Sequence, residues 1–91
     1  MTPSENLQAA AKLLRHDGWC QFDAAKRDGS RCLLSAIVET APDRETESAA
    51  LKLMRSRLWD KASTLSAVRW NDHHERTVDD VLALLEGRAA G

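Results

Sequence analysis

The chain has 91 residues, 43% of them hydrophobic and 30% charged, the make-up of an ordinary globular domain with one modest core. Its formal net charge of −1 argues against a dedicated nucleic-acid binder, which is usually basic, and against a strongly acidic mimic of DNA. No apolar run approaches a membrane span, the N-terminus shows no signal-peptide core, and two cysteines make no disulfide scaffold, so residues 1–91 are expected to form a single domain in a reducing cytoplasm.

Thr2-Pro3-Ser4-Glu5 reads as a capping box with proline in the first helical position. Leu7, Ala10, Ala11 and Leu14 then recur at helical spacing, with Leu13 beside them, and Asp17-Gly18 ends this first helix. Trp19 to Asp23 alternates weakly and Arg27-Asp28-Gly29-Ser30 is a turn signal, so residues 19–31 fit a short β-hairpin or an irregular loop. Cys32 to Ala41 is the most continuously apolar segment. Its length suits a buried helix or a central strand, and its Ala, Leu and Ser content, with no partner strand elsewhere, favours the helix.

Pro42-Asp43 breaks the chain, and Asp43 or Thr46 opens a third helix with Ala50, Leu51, Met54 and Leu58 at helical spacing. Over residues 60–63 that helix either runs on or bends and restarts at Ser63 or Thr64. Leu65 and Val68 are expected to face inward from a short helical turn leading to Trp70. Trp70 to Thr77 reads as a polar loop anchored by its tryptophan. In the last helix Thr77 is the N-cap, Asp79 and Asp80 put negative charge in the first turn, Val78, Val81, Leu82 and Leu85 share a face, and Gly87 closes it. The expected fold is therefore mainly α, a small bundle of about four helices with room for a short β-hairpin between helices 1 and 2. The three tryptophans and one phenylalanine are expected to anchor the core.

Three short patterns carry a family resemblance: Gly18-Trp19-Cys20-Gln21, Cys32-Leu33-Leu34-Ser35-Ala36, and Trp70-Asn71-Asp72 followed by Arg76-Thr77 and Val81-Leu82-Ala83-Leu84-Leu85. Together they resemble a family of small uncharacterised proteins from actinobacteria, other bacteria and their phages. The chain departs from the family pattern at His73-His74-Glu75 (Pro-Gly is usual), at Phe22, where glycine follows the glutamine, and at Ser35, which replaces a glycine. The resemblance implies an architecture rather than a mechanism.

Each candidate site has a plain structural counterpart. Turn and cap chemistry accounts for the C-terminal motif if Trp70 plugs the core, Asn71 and Asp72 cap the preceding turn, and Arg76 pairs with Asp72 or Asp80. The functional reading makes Trp70, Asn71, Asp72, His73, His74 and Arg76 a partner-binding edge, since Trp and Arg are favoured at binding hot spots. Lys52, Arg55, Arg57, Lys61 and Arg69 form an alternative nucleic-acid face on helix 3 and its sequel, although Glu45, Glu47 and Asp60 interleave with them.

Cys20, Cys32, His73 and His74 are the right residue types for zinc, but cysteines 12 apart and adjacent histidines match no standard site, so neither metal nor cofactor is expected. Cys20 with His16 or His73 as base and Asp72 orienting it has the types of a thiol nucleophile. No oxyanion loop or nucleophile elbow accompanies them, so an enzyme is not expected. The leading expectation is a non-enzymatic interaction protein that binds a host protein, with the phage association and an inhibitory role drawn from the resemblance. A small DNA-binding regulator is the alternative, and a metal-dependent or Cys-based enzyme is third. Nothing in the pattern sets an oligomeric state.

Overall fold

A computed structural model of the chain describes residues 1–58 and 64–88. Among the described residues, five helices follow one another: α1 (Pro3–Asp17), α2 (Leu33–Thr40), α3 (Arg44–Ser56), α4 (Thr64–Asp72) and α5 (Val78–Glu86). The start of α1 is set by reciprocal bonds in which the Glu5 amide donates to Thr2 Oγ1 (3.1 Å) and the Thr2 amide donates to Glu5 Oε1 (2.7 Å), with Pro3 where no intrahelical donor is needed. It ends at Gly18, whose φ of +99° an L side chain rarely adopts. Asp43 caps α3 through Thr46 N (2.8 Å), and Thr77 caps α5 in a second reciprocal box with Asp80.

α1 is the element on which the core is assembled, because α2, α3 and α5 all pack against it. Leu7, Ala10, Ala11 and Leu14 are buried on its inner side, as their spacing predicts, and meet Leu33, Ala36 and Ile37 of α2, Ala50 and Met54 of α3, and Val81, Leu82 and Leu85 of α5 within one apolar cluster. The alanines let helix axes approach closely, and the larger side chains fill the spaces between. One polar residue enters this layer. Asn6 is fully buried and donates through Nδ2 to the Ile37 carbonyl (3.2 Å) and Thr40 Oγ1 (2.9 Å), which fastens the C-terminal end of α2 to α1.

The architecture departs from expectation in three places and decides between two open readings in a fourth. The helical turn expected before Trp70 is a complete fifth helix, α4, and it contains Trp70, Asn71 and Asp72, which the sequence assigns to a loop. The expected count of about four helices is therefore five among the described residues. The restart expected over residues 60–63, together with Trp59, Lys61 and the side chain of Leu65, lies outside the described residues.

Of the two readings of residues 19–31 the irregular loop holds over the hairpin, and no strand occurs among the described residues. Arg31 instead makes isolated bridges, parallel to Trp19 and antiparallel to Ala25. The Cys20 amide donates to the Arg31 carbonyl (3.0 Å) and the Cys32 amide to the Ala24 carbonyl (2.9 Å), so the segment closes as a loop. Its chain is drawn out of hairpin register because Trp19 and Gln21 bond to α4. Val68, expected to face inward, is exposed, as is Val78 at the start of the shared face of α5, while Ala83 and Leu84 are buried because α5 is covered on more than one side. Finally, Phe22 is 74% exposed, against the expectation that the aromatics anchor the core, although Trp19 and Trp70 do pack against it.

Several carboxylates are held below their usual range in the folded chain. The Thr2 amide lowers Glu5, the Ser30 hydroxyl lowers Asp28 and the Thr46 amide lowers Asp43. His16 and then Arg31 lower Asp17, and Arg15 and then Arg88 lower Glu86. Their ionised forms are favoured by folding, so their stabilisation is present above the unfolded carboxylate range, about pH 4, and is lost as pH falls through the lower folded values. Thermal melts are expected to be flat from neutrality to about pH 5 and to drop progressively below about pH 4. A melting temperature unchanged down to about pH 2 would contradict this account.

Candidate functional site

The C-terminal turn of α4 is where distant parts of the chain meet. Asn71 is 2% exposed, and its side-chain amide is satisfied on every side. Its Oδ1 accepts from Trp19 Nε1 (2.7 Å) and the Leu33 amide (3.0 Å), and its Nδ2 donates to the Cys20 carbonyl (3.2 Å) and Asp72 Oδ1 (2.9 Å). Leu33 is the first residue of α2, so its amide has no partner within the helix, and Asn71 supplies one from another helix. Cys32 adds a local cap, its sulfur accepting from the Ser35 amide at 3.4 Å.

The exposed carbonyls of the last turn of α4 are capped in return. Gln21 Nε2 donates to the carbonyls of Asn71 (3.0 Å) and His73 (2.7 Å), and Arg76 Nε donates to that of Trp70 (2.8 Å). The Arg76 guanidinium lies 4.0 Å over the Trp70 ring and reaches Asp80, not Asp72, at 4.0 Å. Trp70, Asn71 and Arg76 therefore have structural roles. Asp72, His73 and His74 complete the predicted edge: Asp72 is half-buried, and the two exposed imidazoles stack at 4.7 Å between centroids.

Asp72 leads to a feature that residue types did not reveal. Its Oδ1 also accepts from the Phe22 amide (2.9 Å), and Phe22 sits at φ +69°, a left-handed conformation that is an outlier for a bulky side chain. Clamped through Gln21 and its own amide, Phe22 holds its ring out at the lip of a groove of about 230 Å³. Leu34, Val68, Ala24 and Cys32 contribute apolar wall, and Asp23, Ser35, Asn71 and Asp72 the polar remainder. The sequence signal for this site is slight: the chain's one phenylalanine, at the position where the resembled pattern has glycine.

The other sequence candidates are dispersed or engaged. Cys20 is buried, which pushes its thiol up, and that thiol donates to the Asp23 carbonyl (3.3 Å); both features oppose a thiolate nucleophile. His16 is bound to Asp17 at 2.5 Å. Among the described residues, no group of three or more His, Cys, Asp and Glu side chains could hold a metal ion. Both cysteines are free.

Of the basic residues, Lys52 is exposed on α3 and Arg69 on α4. Arg57 lies past the end of α3 and turns to α5, donating to the carbonyls of Leu84 (2.8 Å) and Leu85 (3.2 Å). Its guanidinium covers Gly87, whose φ of +72° closes that helix. Among the described residues, no helix is long and apolar enough to cross a membrane.

The sequence model of a family of unknown function (DUF6197) matches residues 1–90. No curated protein and no solved structure matches the chain.

If Asn71 joins these segments, Asn71→Ala leaves the Trp19 indole, the Leu33 amide and the Cys20 carbonyl without their partner. The expected loss is about 2–4 kcal/mol in chemical denaturation. Asn71→Asp keeps the acceptor but turns a carboxylate toward Cys20 O and Asp72, which raises that carboxyl's pKa in the folded state. Its deficit is therefore smallest in acid and widens as pH rises through the raised value. A loss below about 1 kcal/mol for Asn71→Ala would remove Asn71 from this role.

Proposed function

The chain belongs to the family of unknown function DUF6197, and we propose that it is a non-enzymatic protein-interaction module that docks its partner at the Phe22 groove. One observation carries this reading: a large aromatic ring is kept 74% exposed by a backbone held at φ +69°. A left-handed conformation costs a residue with a Cβ about 1–2 kcal/mol, and a ring so exposed recovers little of that by burial. Glycine would meet the same backbone requirement without the steric cost. Strain retained at an exposed aromatic beside an apolar groove is of the kind that binding sites store.

Aromatic anchors seated beside small apolar pockets are typical of the few residues that dominate a protein interface. Asp72 lines the groove and His73 and His74 follow it in the chain, so part of the edge expected from sequence belongs to the same surface. In its finer form, drawn from the sequence resemblance, the protein is a phage- or prophage-associated accessory in the cytoplasm that inhibits a host protein by steric occlusion. The nucleic-acid alternative has less support, because Arg57, one of its five candidate contacts, is engaged in capping α5.

Phe22→Gly separates folding from binding. The variant is expected to match or exceed the wild type in stability, by about 1 kcal/mol, and to lose the partner that wild-type bait retains in a crosslinked pull-down from native-host lysate. A variant that keeps that partner at the wild-type level would refute docking at Phe22, and one destabilised by about 2 kcal/mol or more would show that the ring serves the fold.

A further inference from the structure

The groove's size and charge say what kind of segment it accepts, an inference that rests on the docking reading above. At about 230 Å³ it is smaller than the roughly 300–1,000 Å³ of small-molecule and cofactor sites, and it suits a single large side chain. Its apolar walls are Phe22, Leu34 and Val68, and its charged lining residues are Asp23 and Asp72, both carboxylates. Asp72 Oδ1 already accepts from Phe22 and Asn71, but a carboxylate offers about four acceptor sites, so capacity remains for a donor from outside. The apolar surface also continues along α2, where Val38, one turn beyond Leu34, is 48% exposed.

We propose that the groove binds a partner protein through an apolar anchor side chain of Leu or Phe size flanked by Arg or Lys. The anchor displaces water from the Phe22–Leu34–Val68 walls, and the neighbouring cation bonds to the carboxylates of Asp23 and Asp72. The same carboxylates disfavour the other occupants. A second copy of this chain docked groove to groove would bring its own acidic rim against this one, and a nucleic-acid backbone would meet two like charges.

The experiment is a random-heptapeptide display selection on the full chain, counter-selected on Phe22→Gly, followed by titration of synthetic selected peptides against wild type, Phe22→Gly and Asp23→Lys. Circular dichroism melts confirm that each variant is folded. The expected outcome is a consensus with a Leu, Phe or Met beside Arg or Lys, whose binding weakens by about tenfold or more on Asp23→Lys and falls with added salt. A consensus without a basic residue, lost on Phe22→Gly but indifferent to Asp23→Lys, would overturn the basic-partner inference and leave the docking reading standing. Absence of any peptide enriched over the Phe22→Gly background would overturn both. A concentration-dependent dimer in sedimentation, abolished by Phe22→Gly, would replace the peptide with a second copy of the chain.

Discussion

The amide of Asn71 is the constraint on which the arrangement depends. It joins the loop after α1, the first turn of α2 and the last turn of α4, using partners 38 to 52 residues distant in sequence. Only a side chain with both an acceptor and a donor can do this, because Trp19 and Leu33 present N–H groups while Cys20 presents a carbonyl. An aspartate would offer acceptors alone and a leucine neither. Buried at 2% exposure, each unmet bond would carry the full desolvation cost, which makes the position demanding as well as stabilising.

Polar connections of this kind matter because the helices they join are short. An isolated helix of eight residues such as α2 does not hold together in water, and its orphan end groups outnumber its internal hydrogen bonds. α2 is held at its first turn by Asn71 and Cys32 and at its last by Asn6 and Thr40, while Leu33, Ala36 and Ile37 bury its inner face. Once both ends are fixed, the direction of its other face is fixed too. Leu34 is thereby set as a wall of the groove, with Val38 exposed one turn beyond it.

What was legible in the sequence was chemistry between near neighbours. The capping box at Thr2, the cap at Thr77, Asp43 as one of two starts for α3, the stop at Gly87 and the inner face of α1 all rest on residues a few positions apart, where spacing is the signal. From sequence, Trp70 to Asp72 reads as a loop because its polar side chains look like turn residues. Their partners are instead Trp19, Cys20, Phe22 and Leu33, brought to α4 by the fold, while Gln21 bonds the backbone carbonyl of Asn71. Arg57 resembled a member of a basic face for the same reason: its acceptors lie 27 and 28 residues on. Phe22 was the least legible residue of the site. Composition sends a lone phenylalanine to the core, and only the backbone shows that it is held outside.

The clamps that close the fold are also those that hold Phe22 outside. Gln21 is tied to the carbonyls at the end of α4 and the Phe22 amide is tied to Asp72, so the backbone that carries the ring cannot swing inward without breaking bonds to that helix. A backbone fixed in this way loses little freedom when a partner covers the anchor, which favours affinity even for a small contact. Substituting Gln21, Asn71 or Asp72 would therefore disturb folding and binding together, and a loss of binding there would say little about the site. Phe22 differs from them, because the fold uses its backbone amide and leaves its ring exposed. It is the position at which the two roles of this corner of the molecule come apart.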